Sequence, residues 1–299
     1  IGSNLTARLR QTAPDVQVRI FDNESLGKRE HLDDFHGEFI HGDLRDRAAL
    51  DAALEGVDAV VHLAADTRVI ESIEDPAKNF DVNVVGTFNL LEAMRARGVR
   101  RLINASTGGA IIGEVEPPVH EEMVPRPMSP YGASKLMVEG YCSAYTASYG
   151  MHCVSLRFSN VYGPRSFHKG SVVAAFFKRI LAGQPLTVYG DGTQVRDYIY
   201  VGDICDGIIA GLRSEASGAI QLGSGRPVTI NELIAGIKAA VAPMKVDVDY
   251  QPFRAGEVYA TYCDVSKARR ELGFDPATPL SEGLSVAWKW FVDGRKTVA

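Results

Sequence analysis

Five strand-like runs, alternating with stretches of helical spacing, constrain this chain more than any other feature. They fall at residues 16–21, 39–44, 58–65, 101–105 and 152–157. The third, Asp58-Ala59-Val60-Val61-His62-Leu63-Ala64-Ala65, is continuously apolar over most of its length, the pattern of a strand buried on both faces. Such a strand needs helices above and below it, and strands alternating with helices run parallel. The expected class is therefore α/β, a doubly wound parallel sheet. Beyond Asn160 the alternation loosens. Residues 171–181 and 230–241 have helical spacing, 186–189 and 246–250 read as short strands, and the last helices fall at 266–271 and 281–291. This is the pattern of a smaller mixed α/β lobe covering the carboxyl edge of the sheet. The division expected is 1–159 and 160–299, with about 191–215 (a turn, a strand and the helix from 203) rejoining the first part. Trp288 and Trp290 are read as packing residues.

Composition narrows the function classes. With 299 residues the chain has ample length for a large core. A net charge of -5 and no basic face or tail give no support for nucleic-acid binding. Apolar runs such as 57–65 are far too short to span a bilayer, and no signal peptide is recognisable. The four cysteines, Cys142, Cys153, Cys205 and Cys263, lack metal-type spacing and read as reduced thiols of a cytoplasmic protein. His62 sits within an apolar run with no accompanying ligand cluster, so it reads as a core histidine and metal chemistry is not indicated.

The chemistry concentrates in Ser129-Pro130-Tyr131-Gly132-Ala133-Ser134-Lys135. Ser129 can cap a helix that Pro130 opens, and Tyr131 and Lys135, four apart, then share one face. A phenol is a poor base at neutral pH, but a neighbouring ammonium favours the phenolate. Lowering it to neutrality needs roughly 4 kcal/mol of differential stabilisation, within reach of one lysine and a cationic ring. With 11 tyrosines in the chain, one such pair alone proves little. The preceding strand, however, ends in Ser106-Thr107, either of which could hold a substrate oxygen near the phenol.

Ser106-Thr107, Tyr131 and Lys135 together resemble the catalytic set of the short-chain dehydrogenase/reductase superfamily. Chain length and the C-terminal motifs resemble its extended branch, the nucleotide-sugar epimerases and dehydratases, over nearly the whole chain. The resemblance implies a Rossmann-type NAD-binding domain followed by a UDP-sugar-binding lobe. In that family a strand and a Gly-x-x-Gly-x-x-Gly loop precede the helical pattern at 5–10. Ile1-Gly2 is expected to be the tail of that loop, with Gly2 at the cofactor. Asp22, with Asn23, ends the second family strand at the interval expected for an acid on the adenosine ribose, which favours NAD over NADP. The resemblance further implies that Asp43 and Leu44 touch the adenine and that Leu63, Ala64 and Ala65 admit the cofactor backbone. Asn83, in a helix running from Pro76 to Arg97, is implied to orient the catalytic lysine. Phe158 and Ser159 would back the nicotinamide.

On the substrate side the resemblance implies Asn160, Arg196 and Arg254 on the diphosphate, Tyr189 near the uracil and Glu257 on the ribose. Arg165 or Arg68 could face a sugar carboxylate. Ile112 stands where related epimerases carry Tyr, and Gly108-Gly109 where dehydratases need an Asp-Glu pair, which argues against a 4,6-dehydratase. The expected activity is inversion at C4 of a UDP-hexose with NAD retained. UDP-glucose/galactose is the default and UDP-glucuronate the rival. Thr107 is slightly preferred over Ser106 as the steadying hydroxyl. A net oxidoreductase or dehydratase, or a non-enzymatic relative, remain alternatives, although such relatives usually lose the Tyr or Lys. A homodimer joined through the helices around Asn83 and Tyr131 is also implied.

Overall fold

The computed structural model describes residues 1–32, 35–253 and 258–294. Its parallel strands, in chain order, are β1 Arg19–Asp22, β2 Glu38–His41, β3 Ala59–His62, β4 Arg101–Thr107 and β5 His152–Phe158. The second part contributes β6 Asn160–Tyr162, β7 Leu186–Tyr189, β8 Val195–Tyr200, β9 Gly218–Leu222, β10 Pro227–Thr229, β11 Val248–Gln251 and β12 Ala260–Thr261. Strands β3, β4, β5 and β9 form one sheet in that order, every pair parallel. Strands β1 and β2 form a separate parallel pair, so the expected single sheet is described as two.

The helices are α1 Gly2–Thr12, α2 Arg47–Ala53, α3 Val69–Glu74, α4 Pro76–Phe80, α5 Gly86–Arg97, α6 Gly108–Ile112, α7 Pro130–Tyr149, α8 Val172–Leu181, α9 Val201–Arg213, α10 Ile230–Ala240, α11 Ser266–Leu272 and α12 Leu280–Gly294. The long helix expected from Pro76 is broken between α4 and α5 by a π-helical turn, Asp81–Val85, which carries Asn83. Such turns often mark functional sites. Short α2, α3 and α6 fall in stretches too brief for hydrophobic periodicity to reveal.

Helices cover both faces of the four-stranded sheet. On one side Leu90, Leu91 and Met94 of α5 and Val138, Cys142 and Tyr145 of α7 pack on Leu102 and Cys153. On the other, Ile204, Cys205 and Ile208 of α9 and Leu5 of α1 pack on Ile103, Val154, Leu156 and Ile220. A separate core, with Phe176 and Phe177 of α8, Ile234 and Ile237 of α10 and Phe291 of α12, fills the smaller lobe. Trp288 and Trp290 pack against it. Its central strand β8 pairs with β6, β10 and β12, and β7 pairs with β11.

Strand direction then places the site. Strands β1 to β5 end at Asp22, His41, His62, Thr107 and Phe158, so their carboxyl ends deliver the residues singled out in the sequence. Ligands bind at that edge in open α/β sheets.

Candidate active site

The helix α7 starts as its sequence dictates. Ser129 is the N-cap, its Oγ accepting from the Gly132 N–H at 3.2 Å, and Pro130 occupies the first turn. Tyr131 follows, half-buried, its N–H donating to Ser72 Oγ at 3.1 Å. Lys135 is 5% exposed and its Nζ donates to the Ala105 carbonyl of β4 at 2.9 Å. Lys135 is thus brought to the end of β4, one helical turn from Tyr131.

Their electrostatics differ from expectation. Burial pushes the Tyr131 phenol up to about 12. Lys135 is itself lowered to about 8, chiefly by burial. The expected depression of Tyr131 is therefore not present in the protein alone: the ammonium is turned to a backbone carbonyl, and desolvation of the phenolate dominates.

The two candidate hydroxyls separate cleanly. Ser106 is 4% exposed and donates to Glu139 Oε1 at 2.6 Å, on the α7 side of the sheet. Thr107, half-buried, ends β4 and occupies the N-cap position of the short helix α6 without a side-chain capping bond. Thr107 is the one whose hydroxyl is not drawn into the Glu139 pair in the described contacts.

Asn83 is 2% exposed; its Oδ1 accepts from the Asp66 N–H at 2.8 Å and its Nδ2 donates to Ser134 Oγ at 3.1 Å. It reaches α7 beside Lys135 rather than at it. Asp22 Oδ1 accepts from the Glu24 N–H at 2.6 Å, closing the turn after β1. Asn23 Nδ2 donates to Asp43 Oδ2 at 2.8 Å. Asp43 is held well below the usual carboxylate range by Arg45, which also donates to Asp81. Leu44 packs on the α2 and α5 core. Leu63 lies 3.8 Å from where a Gly2 Cβ would stand, tying α1 to the end of β3. Ala64 beside it is exposed and Ala65 half-buried. Buried His62 donates or accepts at Thr87 Oγ1, 2.8 Å away, and desolvation lowers it to about 3, so it is neutral, as expected of a core histidine.

The end of β5, the segment before α3 and the second lobe supply the remaining candidates. Phe158 is core, and Ser159 Oγ lies 3.3 Å from Cys263 Sγ. Asn160 Nδ2 donates to the Asp197 carbonyl at 3.1 Å. Arg196 Nη1 donates to the carbonyls of Val195 and Tyr259 at 2.8 and 3.1 Å. Asp197, 1% exposed, instead accepts from Ser224 and Gly225, so alternation on β8 sends the neighbours to opposite faces. Tyr189 ends β7, half-buried. Arg165 has φ +58° and its Nη1 donates to Asn4 Oδ1 at 3.5 Å. Arg68 is engaged by Asp66 and Glu71 at 3.4 and 2.5 Å. Arg254 and Glu257 lie outside the described residues.

Sequence reasoning missed Ser72, Asp66, Lys169 and Glu139. Lys169, lowered by burial, lies 3.4 Å from Thr67 Oγ1. Only Glu139 left a signal, four residues after Lys135 on the same helical face.

Comparison with known proteins bears on this edge. The model of the NAD dependent epimerase/dehydratase family matches residues 1–223. The chain belongs to this family. Among solved structures, the UDP-glucose 4-epimerase of Thermus thermophilus, in complex with NAD, is 38% identical, with TM-score 0.89, covering 97% of this chain and 95% of that one. That of Thermotoga maritima, with UDP-glucose, is 34% identical, with TM-score 0.91 and coverage of 100% and 96%. A UDP-glucuronate 4-epimerase of Thermodesulfobacterium geofontis is 35% identical over 93% of this chain and 85% of that protein. The family's parallel-sheet architecture, and its dependence on NAD, agree with the acid at the end of β1, the small residues after β3 and the buried ammonium on α7 at the end of β4.

Proposed function

We propose that the chain is an NAD-dependent epimerase that inverts C4 of a UDP-hexose through a 4-keto sugar, with UDP-glucose and UDP-galactose as the default pair. The observation that carries it is Tyr131 and Lys135 one turn apart on α7, with Lys135 buried and bonded to the end of β4, two residues before Thr107. Asp22 and Asn23 would hold the adenosine ribose, Asp43 and Leu44 flank the adenine, and Leu63, Ala64, Ala65, Asn83, Phe158 and Ser159 line the rest of the cofactor's path. When bound, NAD would supply a cationic ring able to accept hydride, the chemistry that inversion at C4 through a 4-keto sugar needs.

The chain's own part is proton handling and anchoring. Tyr131 Oη takes the proton of the 4-hydroxyl and later gives it back. With its phenol at about 12, that task needs positive charge close by, from the cationic ring together with Lys135. Thr107 steadies the 4-oxygen. Asn160 and Arg196, with Arg254 and Glu257, hold the nucleotide, Tyr189 meets the uracil, and the sugar is left with few strong contacts so that it can turn over. In this division 1–159, rejoined by about 191–215, holds the cofactor and 160–299 the UDP-sugar.

UDP-glucuronate is the second reading. The relative of that activity supports it, as do the cationic side chains of Arg165 and Lys169 in the segment after β6. A dehydratase is disfavoured by Gly108-Gly109. Incubating the protein with each UDP-sugar and separating the 4-epimers by chromatography distinguishes these readings, and turnover of none removes the assignment.

Two further parts of the proposal concern setting. No helix among the described residues is long and apolar enough to cross a membrane, and all four cysteines are free thiols, in keeping with a cytoplasmic enzyme of carbohydrate metabolism. Ile70, Ile73, Phe80, Phe88, Met137 and Tyr141 are exposed on α3, α4, α5 and α7. Scattered exposed apolar residues are ordinary, but a patch on packed helices suits a second copy of the chain, giving a homodimer.

A further inference from the structure

Tyr131, Lys135 and Glu139 recur every four residues along α7, and the last has no part in the chemistry above. Its carboxylate is buried with the guanidinium of Arg157 on β5, the two side chains 9% and 5% exposed. Arg157 Nη2 donates to Glu139 Oε2 at 2.6 Å and Nε to Oε1 at 2.9 Å, a two-pronged pair. The same Oε1 accepts from Ser106 Oγ at 2.6 Å. Ser106 and Arg157 are register partners on adjacent parallel strands, and Arg157 is in turn the partner of Gln221 on β9. Gln221 packs against the turn after Thr107: a Cβ on Gly108 would lie 2.4 Å from its Oε1.

Lys135 and Glu139, one helical turn apart on α7, are thus both tied to the end of β4, Lys135 to the Ala105 carbonyl and Glu139 to the Ser106 hydroxyl, next to Thr107. A buried ion pair is a weak device for stability, because the cost of desolvating both charges offsets their attraction, and apolar replacements of like volume often do as well. It is a strong device for direction. A two-pronged bond tolerates neither rotation nor sliding of the helix, whereas apolar contacts permit both. Arg157 Nη1, buried and without a hydrogen-bond partner among the described residues, shows that the pair is held although it leaves one donor unsatisfied.

We propose that Glu139 and Arg157 are positioning residues of the epimerase reaction, a buried lock that sets the depth and rotation of α7 so that Tyr131 meets a sugar oxygen held at Thr107. Ser106 belongs to this lock, not to the reacting hydroxyls. The inference rests on the proposed epimerase activity.

The test compares wild type, Glu139→Gln and the double variant Glu139→Leu/Arg157→Met in 4-epimerisation of UDP-glucose, with melting temperature and bound NAD measured on the same preparations. The double variant removes both charges together, so no lone buried charge unfolds it, and Glu139→Gln, which leaves the Arg157 charge but keeps shape and a hydrogen-bond acceptor, serves should the double variant fail to fold. Both variants are expected to retain NAD while kcat falls about tenfold to a hundredfold, the cost of a misplacement near 1 Å, with little change in KM. A loss of fold alone would lower the amount of active enzyme and of bound NAD together. A folded variant with wild-type kcat, or a loss confined to KM, overturns the proposal. An inactive wild type overturns the epimerase reading and the proposal with it, whereas an active wild type matched by its variants overturns the lock alone.

Discussion

At the scale of single residues, the site opposes stability to chemistry. Lys135 is buried, and its folded pKa of about 8 lies below the ordinary 10.5. Below pH 8 the folded protein carries a desolvated ammonium, a cost that is relieved as pH rises from about 8 to 10.5, where the unfolded chain binds more protons. Lys135→Met, which keeps the stem and drops the charge, is expected to raise stability at pH 7 by about 2 kcal/mol after losing the bond to Ala105, and to abolish epimerisation. Denaturant melts at pH 7 and pH 10 check this: the gain should shrink at the higher pH, and a variant less stable at pH 7 contradicts it. Tyr131→Phe removes one hydroxyl and, by the proposed role, about a thousandfold or more of kcat without a comparable change in bound NAD. Brisk interconversion by this variant would end the epimerase account. Thr107→Ala is expected to cost more activity than Ser106→Ala, since Ser106 is spent on Glu139.

The catalytic helix is the element on which the site depends. Its start combines a capping serine, a proline in the first turn and Gly132, whose missing Cβ makes room for the Ala110 carbonyl. A Cβ at Gly132 would stand 2.1 Å from that backbone oxygen, which cannot step aside as a side chain would. Ser129→Ala should cost about 1 kcal/mol, the usual worth of a cap. Gly132→Ala should cost more and lower activity too, because relieving the clash shifts Tyr131. Thermal melts of the two single variants rank them, and equal losses would mean that α6 yields easily. The π-helical turn before α5 has a comparable role, since it places Asn83 to hold Asp66 and Ser134 at once.

For the molecule as a whole, the proposed dinucleotide site makes stability depend on what binds there. Stripping NAD is expected to lower the melting temperature and adding it back to restore it, because a ligand bound only by the folded state stabilises by mass action. An unchanged melt would mean that the edge holds no dinucleotide. The apolar patch on α3, α4, α5 and α7 belongs to this scale also. Phe88 and Tyr141 meet edge to face at 5.6 Å between ring centroids, both partly exposed. Phe88→Glu with Tyr141→Glu should convert a dimer to a monomer in light scattering, and a wild type already monomeric removes the homodimer from the proposal.

Strand and helix alternation, the parallel sheet and the pairing of Tyr131 with Lys135 were all legible in the chain, because they depend on spacing and on short-range rules of burial, capping and helical pitch. Residue types at the ends of β1, β3 and β4 also pointed to the carboxyl ends of the strands, since strand direction alone decides which end carries them. Three-dimensional packing decided the rest. Ser106 and Thr107 are indistinguishable as letters, and only the meeting of β4 with Glu139 and Arg157, which are 33 and 51 positions beyond Ser106, assigns one of them inward. The direction in which the Tyr131 phenol titrates was likewise out of reach of the sequence. Spacing places an ammonium nearby, but the balance between its field and the loss of water depends on burial, and burial is a property of the assembled core.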